Sequence, residues 1–241
     1  AAALPTVSQH AARDELTGIR DTVSRALRLM LMLNVPAMVG LMVLGQPIVE
    51  MIFEHGNFGS DDTSATAAAL LFYAPGLIGY SAVRITVPCF YALRNSLTPA
   101  YVSAGAVGIN VVLNLLLVQV IGYRGLALGA SIAALVNAVT LLVLLHGSLG
   151  GLDVARIRRA FLKISAASLI MGIAVFATHE WLSAAWAGAG LLARLGRVTC
   201  SIVIGVVALV GGARVLRIDE FDQARRQLLA RVGRGSAKMV R

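Results

Sequence analysis

Residues 98–121 read TPAYVSAGAVGINVVLNLLLVQVI, a run of 24 residues without a charged side chain. A helix of that length is about 36 Å long at 1.5 Å per residue, which is enough to cross a hydrocarbon core about 30 Å thick. Because lipid offers no hydrogen bonds to the backbone, and the run shows no strand-like alternation, it must satisfy its own backbone groups as a helix. The run therefore predicts a transmembrane α-helix.

Runs of the same kind lie on both sides of this segment. The six predicted spans cover residues 29–53, 64–93, 98–121, 125–145, 161–181 and 191–215. Of the 241 residues, 58% are hydrophobic and 14% are charged, whereas soluble domains carry about 25% charged residues. We therefore predict an all-α integral membrane protein with six transmembrane helices. The composition excludes both an ordinary soluble enzyme and a disordered chain.

The spans divide the sequence into four parts. We predict the end of a preceding span and a polar, helix-compatible cytoplasmic linker over 1–28, four transmembrane helices over 29–147, two further transmembrane helices over 148–215, and a basic cytoplasmic tail over 216–241. The tail is either an amphipathic segment on an anionic leaflet or a solvated end. Since the sequence opens without Met or a signal peptide, we expect it to be a piece of a longer protein.

The formal net charge of +9 reflects 21 Lys and Arg residues against 12 Asp and Glu residues. If the N-terminal segment is cytoplasmic, 17 basic residues fall on the cytoplasmic side and three on the opposite side, with Arg84 inside a span. Such an excess is typical of cytoplasmic loops. It favours an even number of spans with both ends of the sequence in the cytoplasm, and it accounts for the charge without a nucleic-acid partner.

No constellation typical of an enzyme or a metal site is visible in the sequence. Cys89 and Cys200 lie in apolar runs and are interpreted as small buried residues, and the four histidines are scattered singly. Glu50 and Glu54 end the first span and are expected to face water. We therefore predict no catalytic residue, no metal site and no enzyme activity.

Arg84 is the one charged residue well inside a predicted span. It lies ten residues before Arg94, or about 15 Å along a helix. An arginine at such a depth costs about 2.5–3.5 kcal/mol on insertion scales. That cost is tolerable if the guanidinium faces a water-filled cavity or an anionic ligand, and its fork suits phosphates. The alternative is a structural arginine that pairs with helix carbonyls or reaches the interface.

Three polar residues on the third and fourth spans form a second candidate site. Asn110 and Asn114 are four residues apart and share one helix face, and Ser131 lies on the next span. Such side chains either hydrogen-bond between helices or supply oxygen ligands to a monovalent cation such as sodium. These two spans carry no carboxylate, which weakens the cation hypothesis.

Pro36, Pro75 and Pro88 lie inside predicted spans. Each removes a backbone hydrogen bond and can kink its helix. We interpret them as candidate hinges that flex between two states, as alternating access requires, or as fixed kinks that shape packing.

Small residues recur every four positions on the fourth span, at Gly125, Gly129 and Ala133. This spacing predicts close helix packing rather than contact with a substrate.

Several motifs together resemble the MurJ/MviN lipid II flippase family. The first is a proline-started span that ends in F-x-x-G-x-F at 53–58, and the second is D-T at 62–63 leading into an A-L-x-x-Y-A-x-G-L helix at 69–77. The third is the F-Y-A turn at 90–92 followed by T-P at 98–99. The N-x-x-x-N of the third span, G-x-x-G-L-A-L-G-A-S at 122–131 and the opening L-P-x-x-S at 4–8 also fit. The clear resemblance covers about residues 1–150.

The resemblance implies a fourteen-span fold of two six-helix lobes plus two extra helices. This chain would correspond to the C-terminal lobe and the two extra helices, with the N-terminal lobe of the same protein as its partner. The implied activity is alternating-access transport of an undecaprenyl-linked peptidoglycan precursor across the bacterial cytoplasmic (inner) membrane, among membrane lipids. It would serve peptidoglycan biosynthesis, cell wall biogenesis and cell shape.

The resemblance also bears on the sites. Some family members hold sodium on the spans matched by the third and fourth here, where Asn110 and Asn114 would be ligands, although the acidic partner is missing. The main cavity arginines are expected upstream of this sequence. The alternatives are another transporter of the same superfamily, such as a polysaccharide flippase or a multidrug antiporter, and a non-transporting membrane scaffold.

Overall fold

The computed structural model describes residues 16–185, 190–218 and 221. These residues form helices and turns, with no strand among them. The helices are α1 Leu16–Phe53, α2 Ser60–Tyr73, α3 Gly76–Ala92, α4 Leu97–Ile121, α5 Tyr123–Ser148, α6 Val154–Ala185 and α7 Leu191–Val215. Most of the predicted N-terminal span end and of the predicted basic tail lies outside the described residues.

The helices match the six predicted spans. In the described part of the chain, five helices are long and apolar enough to cross a membrane, and α2 and α3 pass the same test as one bent pair. The all-α membrane architecture is therefore confirmed. The second predicted span differs from a single helix, because it divides into α2 and α3 with a bend of 44° between them.

The predicted boundary at residue 28 is not a structural boundary. Helix α1 is continuous over 38 residues and runs through this position. Ile19, Val23 and Leu27 are almost fully buried in the main core, so the supposed linker is partly a packed helix. Apolar residues recur every four positions in this stretch, which is the spacing of one helix face, but the polar residues between them lower its mean hydropathy.

The helices pack in a fixed order. Helix α4 packs on α5, and α5 packs on α2 and α3. Helices α2 and α3 in turn pack on α1. Helix α1 also packs on α6, and α7 packs on α6 and also touches α1. The main core lies where α1, α3, α5 and α6 meet, with Phe90, Leu141 and Ile164 among its buried side chains. Helix α4 is the exception, since only 6% of its most apolar window is buried.

Two sets of contacts define the ends of the bundle. At the end we call the basic end, Arg20 at the start of α1 donates to the carbonyls of Leu149 and Gly150 after α5. At the far end, Arg194 of α7 pairs with Glu50 and Glu54 at the end of α1. The helices therefore alternate in direction, as the predicted topology requires.

Candidate functional site

The break between α2 and α3 lies at Pro75. Proline has no N–H to donate, so a helix loses a hydrogen bond at this position. The next N–H groups, of Leu77 and Ile78, donate three residues back to Ala74 and Pro75 rather than four. The carbonyl of Tyr73 consequently loses its usual helical donor. Of the three candidate hinges, only Pro75 coincides with a break, because α1 continues through Pro36 and α3 through Pro88. Whether any of them flexes stays a prediction.

Ser131 of α5 satisfies the backbone at this break. Its hydroxyl donates to the carbonyls of Phe72 at 2.7 Å and Tyr73 at 3.1 Å, and the side chain is 1% exposed. A Cβ on Gly76 would lie 2.9 Å from the Ser131 Oγ, so glycine allows this close approach. Ser131 therefore stabilises the broken span.

Arg84 projects from an exposed face of the broken span. From residue 71 to residue 92, the exposed side chains are Leu71, Tyr73, Tyr80, Arg84 and Tyr91. Arg84 makes no hydrogen bond or ion pair with the described part of the chain.

Tyr73 and Tyr80 stack across the break. Their ring centroids are 6.1 Å apart with 26° between the planes, and the hydroxyl oxygens are 3.5 Å apart. The prediction of Arg84 did not include these tyrosines. Their spacing was a usable signal, because residues 73, 80 and 84 lie seven and four apart and share one helix face.

Asn110 and Asn114 lie on α4 beside α5. Within the described part of the chain, the Oδ1 atoms of both are buried and have no hydrogen-bond partner, and the same is true of Oδ1 of Asn137 on α5. A Cβ on Gly129 would collide with Oδ1 of Asn114, so Gly129 faces α4. Ser131 is two residues further, about 200° around α5, and faces α2. The structure therefore does not bring Ser131, the further ligand candidate, together with the two asparagines, and the cation site itself stays a prediction.

The carboxylates of the far end do not simply face water as expected. Arg194 Nε lies 3.2 Å from Glu50 Oε1, and its Nη2 lies 3.4 Å from Glu54 Oε1. Thr63 donates to the other oxygen of Glu54 at 2.9 Å. The network joins α1, α2 and α7. It could not be predicted from the sequence, because Arg194 lies far from Glu50, Glu54 and Thr63 along the chain.

One cavity among the described residues has a volume of about 420 Å³. It lies between α1, α3, α5 and the start of α6, and its walls are apolar except for His146. Within the described residues, no group of three or more His, Cys, Asp or Glu side chains could hold a metal ion. Arg84 and the two tyrosines of the broken span do not line this cavity.

Comparisons with known proteins agree with this architecture. The family model described as lipid II flippase MurJ matches residues 1–195. A probable lipid II flippase MurJ of Bdellovibrio bacteriovorus is 32% identical over 226 residues, which cover 94% of this chain and 42% of the relative. The Rickettsia prowazekii protein of the same name is 29% identical over 222 residues, covering 92% and 44%.

A solved structure is also similar. The structure titled lipid II flippase MurJ, inward closed conformation, matches with a TM-score of 0.72 and 26% identity over 91% of this chain and 43% of that one. The chain thus spans less than half the length of the relatives it matches. Because the family model covers most of its residues and the fold agrees, the chain belongs to the MurJ lipid II flippase family.

Proposed function

We propose that this chain is part of a flippase that moves an undecaprenyl-linked peptidoglycan precursor across the bacterial cytoplasmic membrane by alternating access. Because the chain belongs to the MurJ family, family membership supports this transport activity. The observation that carries it is Arg84, an exposed arginine on a broken span, since discontinuous helices form the substrate sites of many transporters. The substrate is an anionic pyrophosphate, and a guanidinium can bind its oxygens through paired hydrogen bonds. The protein acts as a transporter and not as an enzyme.

The test is restoration of precursor transport. Cells depleted of their own flippase receive the full-length parent gene, and the outward exposure of the lipid-linked precursor is measured. We expect the parent to restore exposure, and Arg84→Ala to reduce it at least tenfold at equal protein level. Arg84→Lys should retain intermediate activity, because lysine keeps the charge but not the planar fork. A parent that accumulates in the membrane without restoring exposure would favour a scaffold.

We further propose that Asn110 and Asn114 supply oxygen ligands to a monovalent cation such as sodium. Their buried, unpartnered Oδ1 atoms support this site, and amide oxygens suit hard cations. Ser131 is left out, since its hydroxyl donates to the α2 carbonyls. Neither asparagine is charged, so the site would bind the cation weakly.

Ligand-dependent stability tests this cation site without a transport assay. A ligand that binds the folded state raises its melting temperature. We expect sodium to stabilise the parent more than choline does at equal ionic strength, and Asn114→Ala to abolish the difference. An equal response of the parent to both salts would count against the site, as would an unchanged sodium response in Asn114→Ala.

A further inference from the structure

The exposed face of the broken span differs chemically from those of other helices. At mid-helix, α4 exposes Val111 and Val112, α6 exposes Ile173, and α7 exposes Val203, all of them aliphatic. The face of α2 and α3 instead exposes two tyrosines and an arginine. Aliphatic side chains suit lipid, whereas phenol hydroxyls and a guanidinium need polar partners.

The depth of the two tyrosines excludes a simple interfacial role. The midpoint of the α2–α3 pair lies at residue 76, next to the break. Tyr73 and Tyr80 are within four residues of that midpoint, or about 6 Å, and Arg84 is about 12 Å away. Tyrosines of the aromatic belt lie at the membrane surfaces instead, about 15 Å from the centre. Tyr91, near the end of α3, fits that interfacial role and is not part of this surface.

The tyrosine pair also has a geometry suited to a saccharide. Tyr73 comes from the end of α2 and Tyr80 from α3, so the bend at Pro75 sets the distance between their rings. Two stacked aromatic rings offer an apolar face, and their hydroxyls offer hydrogen bonds beside it. Sugar rings present both kinds of surface. Arg84, one turn beyond Tyr80, adds the positive charge that a phosphate requires.

We propose that Tyr73, Tyr80 and Arg84 form a water-exposed surface that binds the headgroup of a glycosylated polyprenyl pyrophosphate, with the tyrosines at the sugar and Arg84 at the pyrophosphate. This surface rests on the proposed function for the identity of its ligand. It adds two tyrosines as binding residues and assigns the break at Pro75 the role of setting their spacing.

Thiol labelling tests whether the surface meets water. In the full-length parent with Cys89→Ala and Cys200→Ala, single cysteines replace Tyr73, Tyr80 or, as the control, Ile173, which is 70% exposed. A maleimide reacts with thiolates, which form in water and not in lipid. We expect the cysteines at 73 and 80 to react with a water-soluble maleimide at least tenfold faster than that at 173. Equal slow rates at all three positions would overturn the proposal.

Ligand protection tests what binds there. A lipid-linked disaccharide pyrophosphate should slow labelling at position 80 several-fold, whereas the same lipid pyrophosphate without sugars should not. Protection by both lipids alike, or by neither, would contradict a saccharide site.

Transport variants separate this inference from the proposed function. Tyr80→Leu should reduce outward exposure of the precursor several-fold, and Tyr80→Phe, which keeps the ring, should reduce it less. Tyr101→Leu on α4, where the tyrosine is 73% exposed, is the matched control and should be near the parent. If the parent itself restores no exposure, the proposed function fails, while labelling and protection still report on the surface. If the parent is active and Tyr80→Leu matches it, only this inference fails.

Discussion

At the scale of single residues, Ser131 shows how a break inside a membrane span is stabilised. A helix interrupted by proline leaves carbonyls without donors, and hydrocarbon supplies none. The Ser131 hydroxyl comes from a neighbouring helix and reaches both the Phe72 and Tyr73 carbonyls. The same side chain could therefore not serve mainly as a ligand on the opposite face of its helix.

We predict that Ser131→Ala destabilises the protein by about 1–2 kcal/mol, since the part-buried carbonyls of Phe72 and Tyr73 would lose their donor. The matched control is Ser168→Ala on α6. Ser168 is equally buried, but it donates to the Ile164 carbonyl within its own helix. Thermal unfolding in detergent should show a lower melting temperature for Ser131→Ala than for Ser168→Ala. Equal melting temperatures would mean that the hydroxyl is dispensable at the break.

Some of these residues were predictable from the sequence and some were not. Arg84 stood out because a charge inside an apolar run is costly, and the structure does place it on an exposed face. The partner of Ser131 was not predictable, because it lies 59 residues away in sequence. Arg194 and Glu50 are even further apart in sequence, and helix periodicity cannot predict a contact between residues on different helices.

At the scale of helices, glycine sets how closely α4 and α5 approach. A Cβ on Gly125 would lie 2.5 Å from the carbonyl carbon and oxygen of Leu117 on α4. Such distances cannot be accommodated by rotating a side chain, since both atoms belong to the backbone. The four-residue repeat of small residues predicted this close packing from sequence alone, and the contacts of Gly125 and Gly129 confirm it.

We predict that Gly125→Ala destabilises the α4–α5 pair by about 1–3 kcal/mol, the usual cost of overpacking. Gly147→Ala is the control on the same helix, because a Cβ at that position meets nothing within 4 Å. Since α4 packs mainly on α5, protease cleavage in the turn between them should become faster in Gly125→Ala only. Similar cleavage of both variants would refute a steric role for Gly125.

The extents of the helices were predictable where hydropathy changes sharply, and less so elsewhere. Helix α4 begins and ends within one residue of the predicted span. Helix α1 begins 13 residues earlier than predicted, because its first turns carry charges on one face and core residues on the other. Pro75 predicted a kink from the sequence. The angle of 44° was not predictable, because it depends on how α2 and α3 pack on α1 and α5.

At the scale of the whole molecule, the orientation follows from where the charges gather. Arg20 lies against Leu149 and Gly150, and Lys163 donates to the carbonyl of Arg217, so these basic segments share one end. Negatively charged Glu50 and Glu54 lie at the far end. Because basic residues are retained in the cytoplasm, we propose that the basic end is cytoplasmic.

We predict that the two ends react differently with a membrane-impermeant maleimide in intact cells. In the full-length parent with Cys89→Ala, Cys200→Ala and any further cysteine replaced, Asn57→Cys lies in the exposed turn of the far end and should be labelled from outside. Ser96→Cys lies in the exposed turn between α3 and α4, at the basic end, and should be labelled only after the membrane is permeabilised. The two turns are joined by one broken span, so they must lie on opposite sides if α2 and α3 cross the membrane together. Labelling of both positions in intact cells would mean that this pair is re-entrant, and the reverse pattern would invert the proposed orientation.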